Sequence, residues 1–236
     1  MEEILKIAGM VLALVKGIWP AIKNLFGQND DSPSNDQIEI FQTSWEGRPA
    51  SLENDFVGRQ ADLDRVVDTV GESGVVVISG GAGTGKTRLA IEFTYESETG
   101  GFWTSAGATA EQTLTGLAPK LEINTAGMND KDIAMNVRGA IADLPNGLVW
   151  VIDNLPEFAQ VNELQASASN LTLLITTRDS RGYLLPSTAA FLNLTLLEPE
   201  AAVEILRSKG ADDADEAVLV EIVDAVGYLA RKGVGW

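Results

Sequence analysis

Residues 75–90 read VVVISGGAGTGKTRLA, and this stretch decides the fold. The β-branched run at 75–79 is typical of a buried strand, a glycine-rich loop follows at 80–87, and helix-forming sequence comes next. The loop fits the pattern G-x-x-x-x-G-K-[ST], whose glycines let successive backbone N–H groups turn inward around a polyphosphate. The following helix offers its positive N-terminal end to the same anion. The stretch therefore predicts a phosphate-binding strand–loop–helix unit.

The residues of this loop are the candidates for binding a nucleotide. Lys86 is expected to reach the β- and γ-phosphates, and Thr87 to bind Mg²⁺. The whole candidate set is Gly80, Gly81, Ala82, Gly83, Thr84, Gly85, Lys86, Thr87 and Arg88. An ordinary glycine-rich turn is the plain alternative in a chain with 23 Gly, but the flanking strand and helix favour phosphate binding. Because no N-K-x-D element for reading guanine occurs, the expected cofactors are ATP or ADP with Mg²⁺.

The composition excludes several kinds of chemistry. The chain has 34 acidic and 17 basic residues, and its net charge of −17 opposes broad binding of nucleic acid, whose phosphates need clustered Lys and Arg. Nucleic acid is therefore not an expected partner. The lack of Cys and His removes disulfides, thiol nucleophiles and imidazole bases, and leaves carboxylates, Lys, Tyr or water for proton transfer. The lack of Cys also fits a reducing compartment, and the expected location is the cytoplasm.

Residues 1–27, MEEILKIAGMVLALVKGIWPAIKNLFG, predict an apolar or amphipathic helix with an effector-like role. The uninterrupted apolar run at 7–15 is short for a bilayer, and Lys16, Pro20 and Lys23 interrupt its extension. Three alternatives stay open: packing on its own domain or a second copy, contact with a membrane surface or effector partner, and a bilayer span. The second alternative would make the protein peripheral to the membrane.

The rest of the chain alternates between strand and helix patterns. Residues 28–54 are polar and rich in turn formers, which predicts a flexible linker. Strands are predicted at residues 75–79, 101–105, 148–152, 171–175 and 191–196, and helices after residues 56–59 and at 88–98, 110–121, 130–144, 200–208 and 212–231. This order predicts an α/β fold in which a five-stranded parallel sheet carries helices on both faces.

The end of the predicted strand at 148–152 supplies the candidate metal ligand. Active groups collect at the carboxyl ends of parallel strands, and Asp153 lies at that end as the acid that would organise Mg²⁺. A solvated strand-end carboxylate is the alternative. Asn154 stands where many active ATPases place a second acid, and an amide does not take a proton from water. The sequence therefore predicts slow hydrolysis.

The neighbouring strand end supplies candidates for the γ-phosphate. Thr176, Thr177 or Arg178 would contact that phosphate or the attacking water, and arginine offers a charged, forked donor for the purpose. An exposed arginine with no role is the alternative. Lys86, Asp153 and Arg178 are thus the candidate catalytic residues.

Four motifs occur in a fixed order: FVGR at 56–59, GGAGTGKT at 80–87, VIDN at 151–154 and ITTR at 175–178. With them the chain resembles, over about residues 55–231, the NB-ARC type of STAND NTPases, signal-transducing ATPases of bacterial NLR-like defence proteins, plant resistance proteins and apoptosis regulators. The segment LLEPEA at 196–201 looks like the one that follows the last core strand of that family.

The resemblance implies a role for each matching residue. It places Val57 and Arg59 near adenine, Lys86 and Thr87 on phosphate and Mg²⁺, Asp153 on the metal, and Arg178 on the γ-phosphate. It also implies a P-loop core at 55–197 and the start of a helical lid at 198–236, so the chain is expected to be a fragment or a shortened module that stops before the winged-helix and sensor domains. The lid departs from the family at 227–230, where GYLA replaces G-L-P-L.

Proteins of the NB-ARC type rest with ADP bound and oligomerise when ATP replaces it. The resemblance therefore predicts a nucleotide switch, a slow ATPase that controls self-association in a setting such as prokaryotic defence or regulated cell death. Two alternatives stay open from the residues themselves: a small P-loop kinase or transferase, and a membrane-active scaffold that binds nucleotide without hydrolysing it.

Overall fold

The computed structural model describes residues 44–50, 56–208, 210–211 and 214–226. A sheet of six parallel strands runs through this part of the chain, in the order β1-β3-β4-β5-β2-β6. The strands are β1 Trp45–Glu46, β2 Val75–Ser79, β3 Gly101–Ser105, β4 Val149–Leu155, β5 Thr172–Thr177 and β6 Ala189–Asn193. Because β2 lies inside the sheet between β5 and β6, the loop that follows it opens at the carboxyl edge between those two strands.

Helices cover both faces of this sheet. They are α1 Gln60–Glu72, α2 Lys86–Glu96, α3 Ala110–Thr115, α4 Asp130–Ala142, α5 Val161–Ser167, α6 Pro199–Ser208 and α7 Glu216–Val226, with 3-10 turns at Phe158–Gln160 and Gly182–Leu184. Alternate residues of one strand enter different cores, since successive strand side chains point to opposite faces. Trp150 and Ile152 pack with α3, α4 and α5, whereas Val149 and Val151 pack with α1 and α2.

A third apolar cluster lies beyond the last strand. Side chains of α6 and α7 form it, and Val57 packs against it from the segment before α1. Its buried members are Leu197, Ala202, Val203, Ile205, Leu219 and Val223. The two helices predicted to begin the lid therefore pack on each other and on the chain that precedes the first core helix.

All five predicted strands are present, but the prediction of a five-stranded sheet is wrong by one strand. The additional strand, β1, lies within the range 28–54 that was predicted to be a linker, and it pairs with the edge of β3. Gly101 N–H donates to the carbonyl of Ser44 at 2.9 Å, and the Trp45 ring stands edge-on to Phe93 at 6.0 Å. A strand of two residues shows no periodicity, which is why the sequence pattern misses it.

Several boundaries also differ from the sequence prediction. The last strand covers Ala189–Asn193 rather than 191–196, and α3 ends at Thr115, after which turns continue. Between β4 and β5 the structure has α5, where no helix is predicted, because seven residues are too few to establish a helical period.

The predicted N-terminal helix at 1–27 and most of the predicted linker fall outside the described residues, as does the end of the predicted helix at 212–231. The boundaries of the predicted domains therefore stay predictions. Among the helices of the described residues, none is both long enough and apolar enough to cross a membrane.

Candidate nucleotide-binding site

The loop between β2 and α2 has the backbone that a phosphate cradle requires. Gly83 and Gly85 have φ values of +82° and +97°, in the left-handed region that glycine adopts without a Cβ penalty. A Cβ on Gly80 would stand 2.6 Å from the carbonyl oxygen of Leu194, so the first loop position has no room for a side chain. Gly85 is also the N-cap of α2, and without a side chain it makes no cap hydrogen bond to the first N–H groups of the helix. Those donors are suited to an anion.

Lys86 folds back over this loop. Its Nζ donates to the carbonyl oxygen of Gly81 at 2.6 Å, and its side chain is half-buried. Burial lowers the pKa of Lys86, and the nearby positive charge of Arg178 lowers it further, while the carboxylate of Asp153 acts in the opposite direction. Two cations thus share a site with one acid. An arriving polyphosphate would relieve their mutual repulsion.

The lowered pKa of Lys86 predicts a pH dependence of phosphate binding. A bound polyphosphate favours the ammonium form, so ADP affinity is full below the pKa of Lys86 in the free protein and declines as pH rises through it. That value lies below the ordinary 10.5, so the decline should begin at a lower pH than for an exposed lysine. ADP titrations at increasing alkaline pH measure this decline. The variant Lys86→Arg, which keeps its charge, should lose less affinity over the same range; an equal decline in both proteins would contradict the assignment.

Asp153 meets the P-loop helix at the carboxyl edge of the sheet. Its Oδ1 accepts hydrogen bonds from the Oγ1 of Thr87 at 2.9 Å and from the Oγ1 of Thr176 at 2.5 Å. The structure therefore brings together the two residues that the sequence proposes as metal ligands. Within the described residues no group of three acidic side chains could hold a metal alone. The hydroxyl of Thr87 and the carboxylate of Asp153 are a donor set that suits Mg²⁺, which is usually bound through one or two carboxylates together with waters and substrate phosphates.

The hydroxyls of Thr176 and Thr177 are bonded within the protein, which corrects the alternative that they contact the γ-phosphate or water. Thr176 Oγ1 accepts from the backbone N–H of Asn154 at 2.8 Å while it donates to Asp153. Thr177 Oγ1 donates to the carbonyl of Leu155 at 2.7 Å. Both threonines are buried, at 1% and 0% exposure. Of the three candidates at this strand end, only Arg178 is exposed, and its predicted contact with the γ-phosphate stays a prediction.

Arg59 lies against the outer side of the loop. Only 9% exposed, it donates through Nη2 to the carbonyls of Thr84 at 3.3 Å and Thr195 at 2.5 Å, and through Nη1 to Asp62 at 2.9 Å. One guanidinium thus joins the loop, the segment after β6 and the first turn of α1. The predicted closeness of Val57 and Arg59 to adenine stays a prediction.

Replacing Arg59 by methionine is expected to destabilise the protein by about 2 to 3 kcal/mol, since bonds from a buried charged donor are lost and two loop carbonyls lose their partner. For a chain of this size the melting temperature should fall by about 5 to 10 °C. Thermal unfolding followed by circular dichroism measures the change. Arg65→Met is the matched control, because Arg65 pairs with the same Asp62 at 3.8 Å but is 61% exposed. Equal melting temperatures for the two variants would contradict the role of Arg59.

Two other arginines near the site are paired. Arg88, a predicted nucleotide contact, forms an ion pair with Glu92 at 2.7 Å along α2. Arg181 donates to both carboxylate oxygens of Asp179, at 2.9 and 2.7 Å, and these bonds lower the pKa of Asp179 to about 2. Arg178 is therefore the cation at this strand end that faces Lys86 without such a pairing among the described residues.

No protein-family model and no curated protein sequence matches this chain. Solved structures resemble it. A signal transduction ATPase with numerous domains (STAND protein) carrying a tetratricopeptide repeat sensor, from Pyrococcus horikoshii, is 25% identical with a TM-score of 0.52, over 79% of this chain and 30% of that one. A Walker-type ATPase of Pyrococcus abyssi is 13% identical with a TM-score of 0.54, over 78% and 67% of the two chains. The ORC1 protein of Aeropyrum pernix, solved in complex with DNA, is 16% identical with a TM-score of 0.54, over 77% and 60%.

These likenesses define the class: the chain has the parallel α/β fold of P-loop NTPases. The two Pyrococcus proteins among these neighbours are ATPases. Together with the loop and Asp153 they support a nucleotide-binding NTPase. The chain spans 30% of the length of the STAND protein. The sensor and the signalling function of that protein are therefore not attributed to this chain. At 16% identity the DNA in the ORC1 complex says nothing about this chain.

Proposed function

We propose that the protein is an ATP- and ADP-binding switch of the NB-ARC/STAND kind, a slow ATPase whose nucleotide state controls self-association. The observation that carries the proposal is the contact between Thr87 and Asp153 at 2.9 Å, beside the lysine of the loop. Hydroxyl, carboxylate and ammonium groups then surround the place where Mg²⁺ and the terminal phosphates would bind. Thr87 and Asp153 would hold Mg²⁺ there, and the metal would neutralise phosphate charge when bound.

Slow ATP turnover follows from the identity of Asn154, the residue beside the proposed metal ligand Asp153. Asn154 is exposed next to Asp153, and its amide does not accept a proton from an attacking water. The Asp153 carboxylate accepts two threonine hydroxyls and is placed to orient a metal. A protein with these groups would hold each nucleotide for a long time, as a switch requires.

A link from the nucleotide to the lid supports the switch part of the proposal. Arg59 bonds the loop carbonyl of Thr84 and the carbonyl of Thr195, and a short segment leads from Thr195 to the start of α6 at Pro199. A displacement of the loop on nucleotide exchange would therefore be transmitted through Arg59 to the start of the lid. The resemblance to NB-ARC proteins and the 25% identity to a STAND ATPase support a signalling role, with prokaryotic defence or regulated cell death as the proposed setting.

The nucleotide state and the assembly state test this proposal together. Mass spectrometry of the purified full chain should find retained ADP in near-equal amount to protein. Light scattering should then show a larger assembly with a non-hydrolysable ATP analogue than with ADP. A protein that binds neither nucleotide would refute the site, and an equal mass in both states would refute the switch.

Phosphate transfer to an acceptor other than water would instead favour a small kinase. Such an enzyme needs mobile arginines around the transferred phosphate. Arg181 is held on Asp179, which leaves Arg178 for that task at this strand end. The described residues therefore favour the switch over the kinase.

A further inference from the structure

The end of β4 contains a β-bulge, and Asp153, the proposed metal ligand, is one of its residues. Ile152 lies opposite Ile175 on β5, but the next pair joins Leu155 to Thr177. Two residues of β4, Asp153 and Asn154, therefore face a single residue of β5, Thr176. Bulges are rare between parallel strands, and near active sites they redirect a side chain.

At the bulge, the side chain of Thr176 accepts the hydrogen bond of a β4 backbone N–H that a backbone carbonyl would accept in a regular ladder. Asn154 has a φ of +63°, in the left-handed region, and its backbone N–H donates to Thr176 Oγ1 at 2.8 Å. An N–H group donates only, so the hydroxyl must use its own proton elsewhere. That proton goes to Asp153 Oδ1 at 2.5 Å. The bulge thus fixes the direction of the hydrogen bond as well as its partners.

The arrangement holds the Asp153 carboxylate between two threonine hydroxyls. Thr87 reaches it from α2 and Thr176 from β5, a strand hydrogen-bonded on both sides. Thr176 is 1% exposed, so it is placed to orient the carboxylate rather than to touch a ligand. Partners behind a metal ligand commonly set its orientation and strength.

We propose that Thr176 is a positioning residue, which fills the bulge of β4 and aims the Asp153 carboxylate at Thr87 and the nucleotide-bound Mg²⁺. The inference rests on the proposed nucleotide site and adds a residue to it. It assigns Thr176 to the part of nucleotide binding that depends on Mg²⁺, and not to the part that depends on the loop alone. A merely structural threonine would affect both parts equally.

Thr177 provides a matched control. It is the next residue on the same strand, it is 0% exposed, and its hydroxyl also bonds β4, but at the carbonyl of Leu155 and not at Asp153. The variants Thr176→Val and Thr177→Val each remove one buried hydroxyl and nearly conserve volume. Only Thr176→Val removes a hydrogen-bond partner of Asp153.

The experiment titrates ADP into the full-length wild type and these variants, with and without Mg²⁺. Thr176→Val should weaken the apparent Mg²⁺ affinity of the ADP complex by about tenfold or more, with ADP affinity in the absence of Mg²⁺ unchanged. Thr176→Ser should restore the wild-type values, and Thr177→Val should keep them. If circular dichroism shows that Thr176→Val is unfolded, Thr176→Ala replaces it with the same expected loss.

A double-mutant cycle separates this proposal from a loss of stability. In an Asp153→Asn background, Thr176→Val should cause no further loss of Mg²⁺ dependence, because the group it positions has gone. Additive losses, a retained Mg²⁺ effect in Thr176→Val, or an equal loss in Thr177→Val would overturn the role of Thr176 while the nucleotide site stands. A wild type with no ADP binding would overturn the site itself and the inference with it.

Discussion

Replacing Lys86 with alanine is expected to lower ADP affinity by about tenfold or more. The ammonium group would make charge-assisted bonds to phosphate, each worth about 1.5 to 3 kcal/mol, and every 1.4 kcal/mol corresponds to about a factor of ten. Among the residues that the structure describes, Lys86 bonds only its own loop, at Gly81, and burial disfavours its charge. The fold should therefore tolerate its loss, and the effect should appear in binding.

Calorimetric titration of ADP into the wild type and Lys86→Ala measures this effect, and melting temperatures check the fold. Lys131→Ala is the control, since it removes the same charge from an exposed position in the first turn of α4. That variant should bind ADP like the wild type. An affinity of Lys86→Ala equal to that of Lys131→Ala would mean that the loop does not bind phosphate through its lysine.

Replacing Asp153 with asparagine is expected to abolish the strengthening of ADP binding by Mg²⁺. The amide keeps an oxygen for the hydroxyls of Thr87 and Thr176 but loses the negative charge that holds the metal. Without Mg²⁺ the carboxylate repels the phosphates, so the variant should bind ADP as well as the wild type or better. With Mg²⁺ the wild type should gain affinity and the variant should not, a difference of about tenfold or more.

Titrations at matched Mg²⁺ concentrations measure both halves of this prediction. Asp68→Asn, an exposed position on α1, controls for the change in net charge and should behave like the wild type. If Asp153→Asn bound ADP more tightly on addition of Mg²⁺, as the wild type does, the metal would have other ligands and the assignment of Asp153 would be wrong.

The core of this site was predictable from sequence because its parts are local patterns. The glycines and the lysine of the loop at 80–87 predict phosphate binding by themselves. Asp153 is recognisable because it directly follows a strongly apolar run. Parallel strands place their ends at one edge, so the convergence of Thr87 and Asp153 follows once the strands are recognised. The contact at 2.9 Å agrees with that reasoning.

The parts that escaped prediction depend on contacts between distant segments. The bulge opposite Thr176 is a feature of register between β4 and β5, and hydrophobic periodicity does not encode register at a strand end. The sequence predicts that Thr176, Thr177 or Arg178 contacts the γ-phosphate or the attacking water, whereas in the structure the hydroxyl of Thr176 bonds Asp153. Arg59 is similar, because its carbonyl partner at Thr195 lies 136 positions further along the chain.

The central claim is that the glycine loop, Lys86 and Asp153 form one site for a nucleotide and its Mg²⁺. Calorimetric titration of ADP into the full-length protein, freed of nucleotide and measured with and without Mg²⁺, tests it most directly. We expect a single ADP per chain and tighter binding when Mg²⁺ is present. No saturable binding, or binding that Mg²⁺ does not strengthen, would contradict the claim.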